Sequence, residues 1–230
     1  MSIKLTFHGH ATFSMDVDGT HIVVDPFFAP NNPAATQSAK DIAADYILQT
    51  HGHGDHIADT VGLAKRTGAL VIANFEIANW LGAQGVEKVH GQHLGGGFHH
   101  PHPLGYVKMT PALHGSGLPD GSYGGMPAGF LLNIQGKKIY FAGDTALFSD
   151  MALIGAVGLD LAILPIGDNF TMGPDDALLA LGYLKPKAVI PCHYNTWPPI
   201  AQDVEAWAKR VSQETDTMPI VLNSGDTYTL

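Results

Sequence analysis

The sequence predicts an α/β fold (α+β) in a single domain over residues 1–230, and three observations support this class. Both halves of the chain begin with short apolar strands and continue as alternating strands and helices, a pattern that places helices on the face of a sheet. Hydrophobic residues make up 45% of the 230 residues and charged residues only 14%, which is typical of a compact enzyme with much buried strand. No stretch has the composition of a linker, so one core is expected.

The first half opens with three predicted strands, the second and third of which form a hairpin. Asp18-Gly19 is the turn signal between them. The third strand ends at Asp25-Pro26, and the Pro-, Asn- and Ala-rich residues 29–38 are expected to form a loop. The elements predicted for this half are strands at 3–7, 11–17, 20–24, 46–48, 69–73 and 86–89, and helices at 57–67 (ended by Gly68) and 75–82.

The second half repeats this order of elements. Gly136 joins two predicted strands as a hairpin, and residues 115–127, with five Gly and two Pro, are expected to form a mobile loop. The elements predicted for this half are strands at 105–113, 128–135, 137–142, 160–164, 187–191, 219–222 and 226–229, and helices at 147–156, 174–184 and 201–213.

The histidine-rich segment, residues 90–103, separates the two halves. Its composition, with Gly95-Gly96-Gly97 and two prolines, favours an exposed loop or irregular hairpin. A second metal site is the open alternative, although no strand–ligand spacing accompanies these residues. The histidines of this segment are His90, His93, His99, His100 and His102.

The pattern His51-Gly52-His53-Gly54-Asp55-His56 directly follows the apolar run Tyr46-Ile47-Leu48 and its two polar successors. Imidazole nitrogens and carboxylate oxygens are ligands of zinc and similar divalent ions. Glycine at two spacer positions lets the backbone turn tightly enough for these side chains to converge. A solvated polar loop is the alternative, but three imidazoles and one carboxylate within six residues favour a metal site.

A His or Asp residue follows each of three apolar strands later in the chain. His114 follows Met109–Leu113, Asp144 follows Ile139–Gly143, and His193 follows Ala188–Cys192. The only cysteine, Cys192, excludes an internal disulfide and leaves ligation to His and Asp. Because it neighbours His193 on a strand end, its side chain is expected to point the opposite way, into the interior.

The motif and the three later ligands, in this order, resemble the metallo-β-lactamase superfamily over essentially the whole chain. The resemblance implies an αββα sandwich of two mixed β-sheets with helices outside. It also implies two divalent metal ions, with zinc favoured and Mn, Fe or Ni as alternatives. The implied first ion is bound by His51, His53 and His114, the second by Asp55, His56 and His193, and Asp144 bridges them.

The same resemblance implies roles for residues around the ligands. Asp55 and Asp144 are the expected catalytic carboxylates, with a metal-bound hydroxide as nucleophile. Asp25, which closes a strand, is expected to orient a ligating imidazole, and a turn-forming Asp is the alternative. His10 is placed near the site, with a satisfied core or surface histidine as the alternative.

The segments 168–177 and 192–199 look like motifs of a small bacterial family of metal-dependent hydrolases. That family is similar to ascorbate-6-phosphate lactonase. The resemblance places Asn169, Thr171, Tyr194 and Asn195 in the substrate pocket. For Thr171 the alternative is a loop before a helix start that Pro174 and two acids cap. Trp197 either lines the pocket or packs in the core.

The expected function is hydrolysis of a small ester, lactone or thioester by a hydroxide that bridges the two ions. A phosphodiesterase for nucleotide or phospholipid head-group substrates is the first alternative. A metal-dependent redox protein or dioxygenase is the second. Hydrolysis of β-lactams is not expected as the native role, because members of that branch lack the complete His-x-His-x-Asp-His set or use Cys at the position of Asp144.

Charge and apolar patterning restrict the partners of the protein. The net charge of -9, with 12 scattered Lys and Arg, argues against binding to nucleic acid. The chain shows no apolar leader at its start and no stretch of about 18 apolar residues. A cytoplasmic enzyme with a small-molecule substrate and no membrane contact is therefore expected, and a homo-oligomer is an open alternative.

Overall fold

Two seven-stranded sheets face each other in the computed structural model, which describes residues 2–230. The first sheet contains β1 (Ile3–Phe7), β2 (Phe13–Val17), β3 (Thr20–Val24), β4 (Tyr46–Leu48), β5 (Leu70–Asn74), β6 (Val89–Gln92) and β14 (Thr227–Thr229). The second sheet contains β7 (Gly97–His99), β8 (Tyr106–Pro111), β9 (Ala128–Ile134), β10 (Lys137–Phe141), β11 (Leu161–Pro165), β12 (Ala188–Cys192) and β13 (Met218–Pro219). Their strand orders are β14-β1-β2-β3-β4-β5-β6 and β13-β12-β11-β10-β9-β8-β7.

Helices cover the outer face of each sheet, so the expected αββα sandwich is confirmed. They are α1 (Gly54–Ile57), α2 (Thr60–Thr67), α3 (Phe75–Ala83), α4 (Met151–Gly155), α5 (Pro174–Leu184) and α6 (Val204–Glu214). One apolar cluster contains buried residues of both sheets, with the rings of Phe13 and Phe141 5.8 Å apart. Two further clusters join the sheets to α2 and α3 on one side and to α4, α5 and α6 on the other.

Most predicted elements occur within two or three residues of their expected bounds, and the two hairpins have the expected turns. Asp18 and Gly19 have φ of 51° and 84°, and Gln135 and Gly136 have φ of 53° and 83°. Two consecutive residues in the left-handed region match the twist of a two-residue hairpin.

The helix predicted at 57–67 differs, because it is divided into the short α1 and the longer α2. Asp59, at the division, accepts a hydrogen bond from Phe28 N at 2.7 Å and thereby joins the ligand segment to the preceding loop. The predicted end at Gly68 agrees with the structure, where φ is 71° and Gly68 N donates to Ala64 O at 2.8 Å.

The histidine-rich segment is only partly the exposed loop that the sequence indicates, since it contains β6 and β7, the edge strands of the two sheets. His93, His99 and His102 are exposed. His100 is only 6% exposed and packs against His90 at a ring distance of 4.9 Å, so its assignment to the surface was wrong. None of the five belongs to a group of three or more candidate metal ligands within residues 2–230.

The predicted ligands share one edge of the sandwich because of strand direction. β3 and β4 run parallel in the first sheet, and β10, β11 and β12 run parallel in the second. β8 runs in the same direction as β10, since both are antiparallel to β9. The segments that follow these strands therefore leave at the same edge of each sheet. Among residues 2–230, no helix combines the length and apolarity that a membrane span requires.

Candidate metal centre

The first group of converging side chains is His51, His53 and His114. His53 Nδ1 lies 3.1 Å from His51 Nε2 and 3.2 Å from His114 Nε2. Two nitrogens bound at about 2.0–2.1 Å to a tetrahedral ion would lie about 3.3 Å apart. The spacing of these three imidazoles therefore suits a shared divalent ion.

The second group contains His10, Asp55, His56 and His193, whose candidate ligand atoms lie within 4.8 Å of one another. Asp55 Oδ2 lies 3.2 Å from His10 Nε2 and 3.8 Å from His193 Nε2. His10 Nε2 thus lies within hydrogen-bonding distance of Asp55 and also belongs to this group of candidate ligand atoms. Its other nitrogen, Nδ1, lies 2.8 Å from Thr196 Oγ1.

Asp144 lies between the two groups. Its Oδ2 is 3.0 Å from His193 Nε2 and 3.3 Å from His56 Nε2, both of the second group. The same oxygen is 3.5 Å from His114 Nε2 and 3.9 Å from His51 Nε2, both of the first. One buried carboxylate oxygen therefore faces four imidazole nitrogens.

A network around Asp25 fixes the ligand segment from behind. Its Oδ2 accepts from Thr50 Oγ1 at 2.6 Å and lies 2.8 Å from His56 Nδ1. Its Oδ1 accepts from Thr50 N at 2.8 Å and from Gln49 Nε2 at 3.1 Å. Thr50 Oγ1 also lies 3.0 Å from His51 Nδ1. With His56 Nδ1 as the donor to Asp25, the lone pair of His56 Nε2 faces the site.

The backbone at three site residues is held in the left-handed region. The φ angles of His10, Asp25 and His193 are 58°, 48° and 55°, which side chains other than glycine seldom adopt. His193 N donates to His10 O at 2.7 Å, so two of these residues hold each other. Such strain persists only where the surrounding structure determines it, and it is frequent at functional sites.

Burial and mutual charge set the protonation of the site. Burial lowers the pKa of His51 well below its ordinary value, which leaves a neutral ring with a free lone pair. Burial would raise the pKa of Asp144, but His193 and His56 hold that pKa well below its usual range. Burial would also lower the pKa of His193, yet Asp144 raises it to about 9. Without an ion, a proton on His193 compensates the buried carboxylate, and metal binding would replace it.

Unpartnered polar atoms support the fit of these residues to metal ions. His56 Nε2 and Asp144 Oδ1 are fully buried and have no hydrogen-bond partner among residues 2–230. A buried polar atom without a partner costs about 1–3 kcal/mol, so native proteins rarely leave two in one site. The donor set of imidazoles and carboxylates is the one that zinc and similar divalent ions prefer.

A cavity of about 260 Å³ lies beside the candidate ligands and differs from the predicted substrate pocket. Its lining includes two aromatic side chains and five candidate ligands: His53, Asp55, His114, Asp144, Phe170, His193 and Trp197. The four residues predicted for the pocket, Asn169, Thr171, Tyr194 and Asn195, do not line it.

The local backbone conformation explains why these four side chains lie outside the cavity. Asn169 and Thr171 flank Phe170 on its loop, and only Phe170 reaches the cavity. The left-handed backbone at His193 turns the chain, so that Tyr194 and Asn195 line a separate cleft. Asn195 Oδ1 accepts a hydrogen bond from Gln202 N at 2.7 Å, so this side chain stabilises the local backbone.

Several residues of the site were missed by reasoning from sequence. Gln49 and Thr50 are fully buried and position Asp25, and a polar pair between a buried strand and a metal motif is a signal that could have identified them. Thr196 and Phe170 gave no such signal, because only folding brings them to His10 and the cavity.

Several known proteins that are similar to this chain are metal-dependent hydrolases. The Beta-lactamase superfamily domain matches residues 20–194. A UPF0173 metal-dependent hydrolase from Thermus thermophilus is 50% identical over 212 residues, which cover 92% of each chain. A second, from Heliobacterium modesticaldum, is 48% identical over 236 residues and covers 99% of this chain and 98% of its own.

A solved structure agrees with these relatives. Igni18, a metallo hydrolase from the hyperthermophilic archaeon Ignicoccus hospitalis, is 35% identical, covers 100% of this chain and 99% of its own, and has a TM-score of 0.91. The family match covers more than half of the chain, and the relatives share about half of their residues with it. The chain therefore belongs to the metallo-β-lactamase superfamily, as a member of its UPF0173 family of metal-dependent hydrolases.

Proposed function

We propose that the protein is a dinuclear hydrolase that cleaves a small ester, lactone or thioester with water activated between two divalent ions. The observation that carries this proposal is the position of Asp144 Oδ2, 3.0–3.9 Å from imidazole nitrogens of both ligand groups. Asp144 would thus be shared between two ions held by these groups, and its negative charge would offset their repulsion. Zinc is the favoured metal, with Mn, Fe or Ni as alternatives.

Each side chain has a distinct part in this proposal. His51, His53 and His114 would hold one ion, and Asp55, His56 and His193 the other. When bound, the ions lower the pKa of a water molecule and polarise the carbonyl oxygen of the substrate.

Three residues support the ligands or handle protons. Asp25 holds His56 with Nε2 directed inward. His10 holds Asp55 through Oδ2. Asp55 lines the cavity, where its carboxylate would be placed to accept a proton from water.

The proposed protein is one cytoplasmic domain that acts on a small molecule, without nucleic acid or membrane partners. The apolar cluster shared by both sheets supports a single domain. The cavity of about 260 Å³ supports a small substrate, because ligand pockets usually span about 300–1,000 Å³.

Elemental analysis of protein purified without added metal, followed by an activity panel on the same preparation, tests this function. We expect two equivalents of metal per chain and turnover of lactones, esters or thioesters. One equivalent or fewer, even after metal addition, would contradict the dinuclear site. Turnover of bis-(p-nitrophenyl) phosphate alone would favour a phosphodiesterase, and oxygen uptake with bound iron would favour an oxidation reaction.

A further inference from the structure

Two aromatic side chains, Phe170 and Trp197, are the residues of the cavity wall that are not candidate ligands. Phe170 is 57% exposed and lines the cavity, so its apolar ring is available for contact with a bound substrate. The other wall residues are candidate ligands, and a bound ion would occupy their polar atoms. The surface left for the non-reacting part of a substrate is therefore aromatic.

The loop that carries Phe170 is closed and anchored. Asp168 N donates to Met172 O at 3.1 Å, and the fully buried Met172 donates its N–H to Thr145 O at 2.9 Å. Asp168 and Asn169 have φ of 61° and 53°, two consecutive left-handed residues that turn the chain sharply before Phe170. Phe170 is thus held at the tip of the loop by hydrogen bonds.

Contacts with two other aromatic rings hold Trp197 in place. Its ring lies 5.0 Å from the ring of His10 in an edge-to-face arrangement and 6.3 Å from the ring of Phe27. His10 is itself buried and hydrogen-bonded at both nitrogens. Because neither aromatic wall needs to be ordered when substrate binds, contact with them costs little conformational entropy.

Positive charge is missing from the edge of the sandwich that carries the site. The segments 25–38, 49–59, 112–127, 142–150, 166–173 and 193–203 follow the strands that end there, and they contain none of the 12 Lys and Arg residues of the chain. The same segments contain Asp25, Asp55, Asp59, Asp120, Asp144, Asp150, Asp168 and Asp203.

This charge distribution decides what the non-reacting part of a substrate can carry. Phosphate and carboxylate groups are usually bound by Arg or Lys, which these segments cannot supply. A phosphate or carboxylate placed away from the reacting bond would therefore have no cationic side chain of these segments to pair with.

We infer that the enzyme acts on uncharged substrates whose non-reacting part is apolar or aromatic and binds against Phe170 and Trp197. This substrate class rests on the proposed hydrolase function and excludes phosphorylated and other anionic compounds.

The test uses metal-loaded protein and three forms of whichever ester, lactone or thioester the activity panel identifies. The forms are unsubstituted, phenyl-substituted and 4-carboxyphenyl-substituted. We expect kcat/KM for the phenyl form to exceed that for the carboxyphenyl form by about tenfold or more, a factor that corresponds to about 1.4 kcal/mol. In Phe170→Ala and Trp197→Ala the preference for phenyl over unsubstituted substrate should fall by a similar factor, mainly through KM.

Two further variants sharpen the result. Phe170→Lys adds a cation at the wall and should raise kcat/KM for the carboxyphenyl form relative to the phenyl form. Leu179→Ala is the matched control, because Leu179 is an apolar residue on α5 that is 60% exposed and lies outside the cavity lining. It should keep the wild-type preference.

Two outcomes overturn the inference while the hydrolase function stands. One is a wild-type preference for the carboxyphenyl form, and the other is an unchanged phenyl preference in both alanine variants. Absence of turnover on the whole panel would instead defeat the proposed function, and the substrate class would fall with it.

Discussion

Replacement of Asp25 by asparagine tests whether a residue that is not itself an expected metal ligand positions the residues that are. All four groups that contact the Asp25 carboxylate are donors when His56 Nε2 faces the site: Thr50 N, Thr50 Oγ1, Gln49 Nε2 and His56 Nδ1, at 2.6–3.1 Å. An asparagine amide has one oxygen and one NH₂ group. If the NH₂ replaces Oδ1, it faces two N–H donors, and two hydrogen bonds are lost. If it replaces Oδ2, the hydroxyl of Thr50 can turn to accept, but the hydrogen bond that orients His56 is lost.

The expected loss of metal affinity can be estimated from these hydrogen bonds. A hydrogen bond to a charged group contributes about 1.5–3 kcal/mol, and the loss of such outer contacts typically lowers metal affinity about 10–100-fold. We expect Asp25→Asn to fold and to bind zinc about 10–100-fold more weakly, which corresponds to about 1.4–2.7 kcal/mol. Its kcat should fall as well, because His56 is no longer held in one orientation.

The assay is a competition titration of metal-free protein with a chromophoric zinc chelator, together with thermal unfolding of the metal-free form. Asp160→Asn is the matched control. Its carboxylate accepts from Lys138 N at 2.9 Å and Lys187 Nζ at 2.8 Å, at the start of β11 and thus at the opposite edge of the sheet. Wild-type zinc affinity in Asp25→Asn would refute the orienting role, as would an equal loss in Asp160→Asn.

Three further predictions concern other parts of the molecule. Asp144→Ala should lower the metal content from two ions to one and reduce turnover by several orders of magnitude, measured by elemental analysis and kinetics; two tightly held ions would refute bridging. His100→Asn should lower the melting temperature, because it is buried beside other rings, whereas the exposed His99→Asn should leave melting unchanged. Gly167→Ala should destabilise strongly, because a Cβ there would collide with the backbone carbonyl oxygen of the candidate ligand His193, whereas Gly82→Ala, with open space around it, should be neutral or stabilising by up to about 1 kcal/mol; equal melting of the two glycine variants would contradict this.

The sequence by itself determined the class of fold and the candidate ligands. Apolar runs bounded by turn residues predict strands from local chemistry alone, and the Asp18-Gly19 hairpin is one such case. The cluster His51–His56 was visible for the same reason, since its chemistry lies within six consecutive residues. The later ligands could be expected from the family resemblance, which implies a His or Asp after each of three later apolar strands.

Only the tertiary structure decided what surrounds the ligands. Phe170 enters the cavity because distant residues anchor its loop, and Asn195 leaves it because the backbone at His193 is left-handed. Thr196 meets His10 across 186 residues of sequence. Such contacts depend on how the two sheets pack and on φ angles that the surrounding structure imposes. Local propensity does not determine either of these, so the sequence offered Trp197 as a pocket residue only as one of two alternatives and did not indicate Phe170.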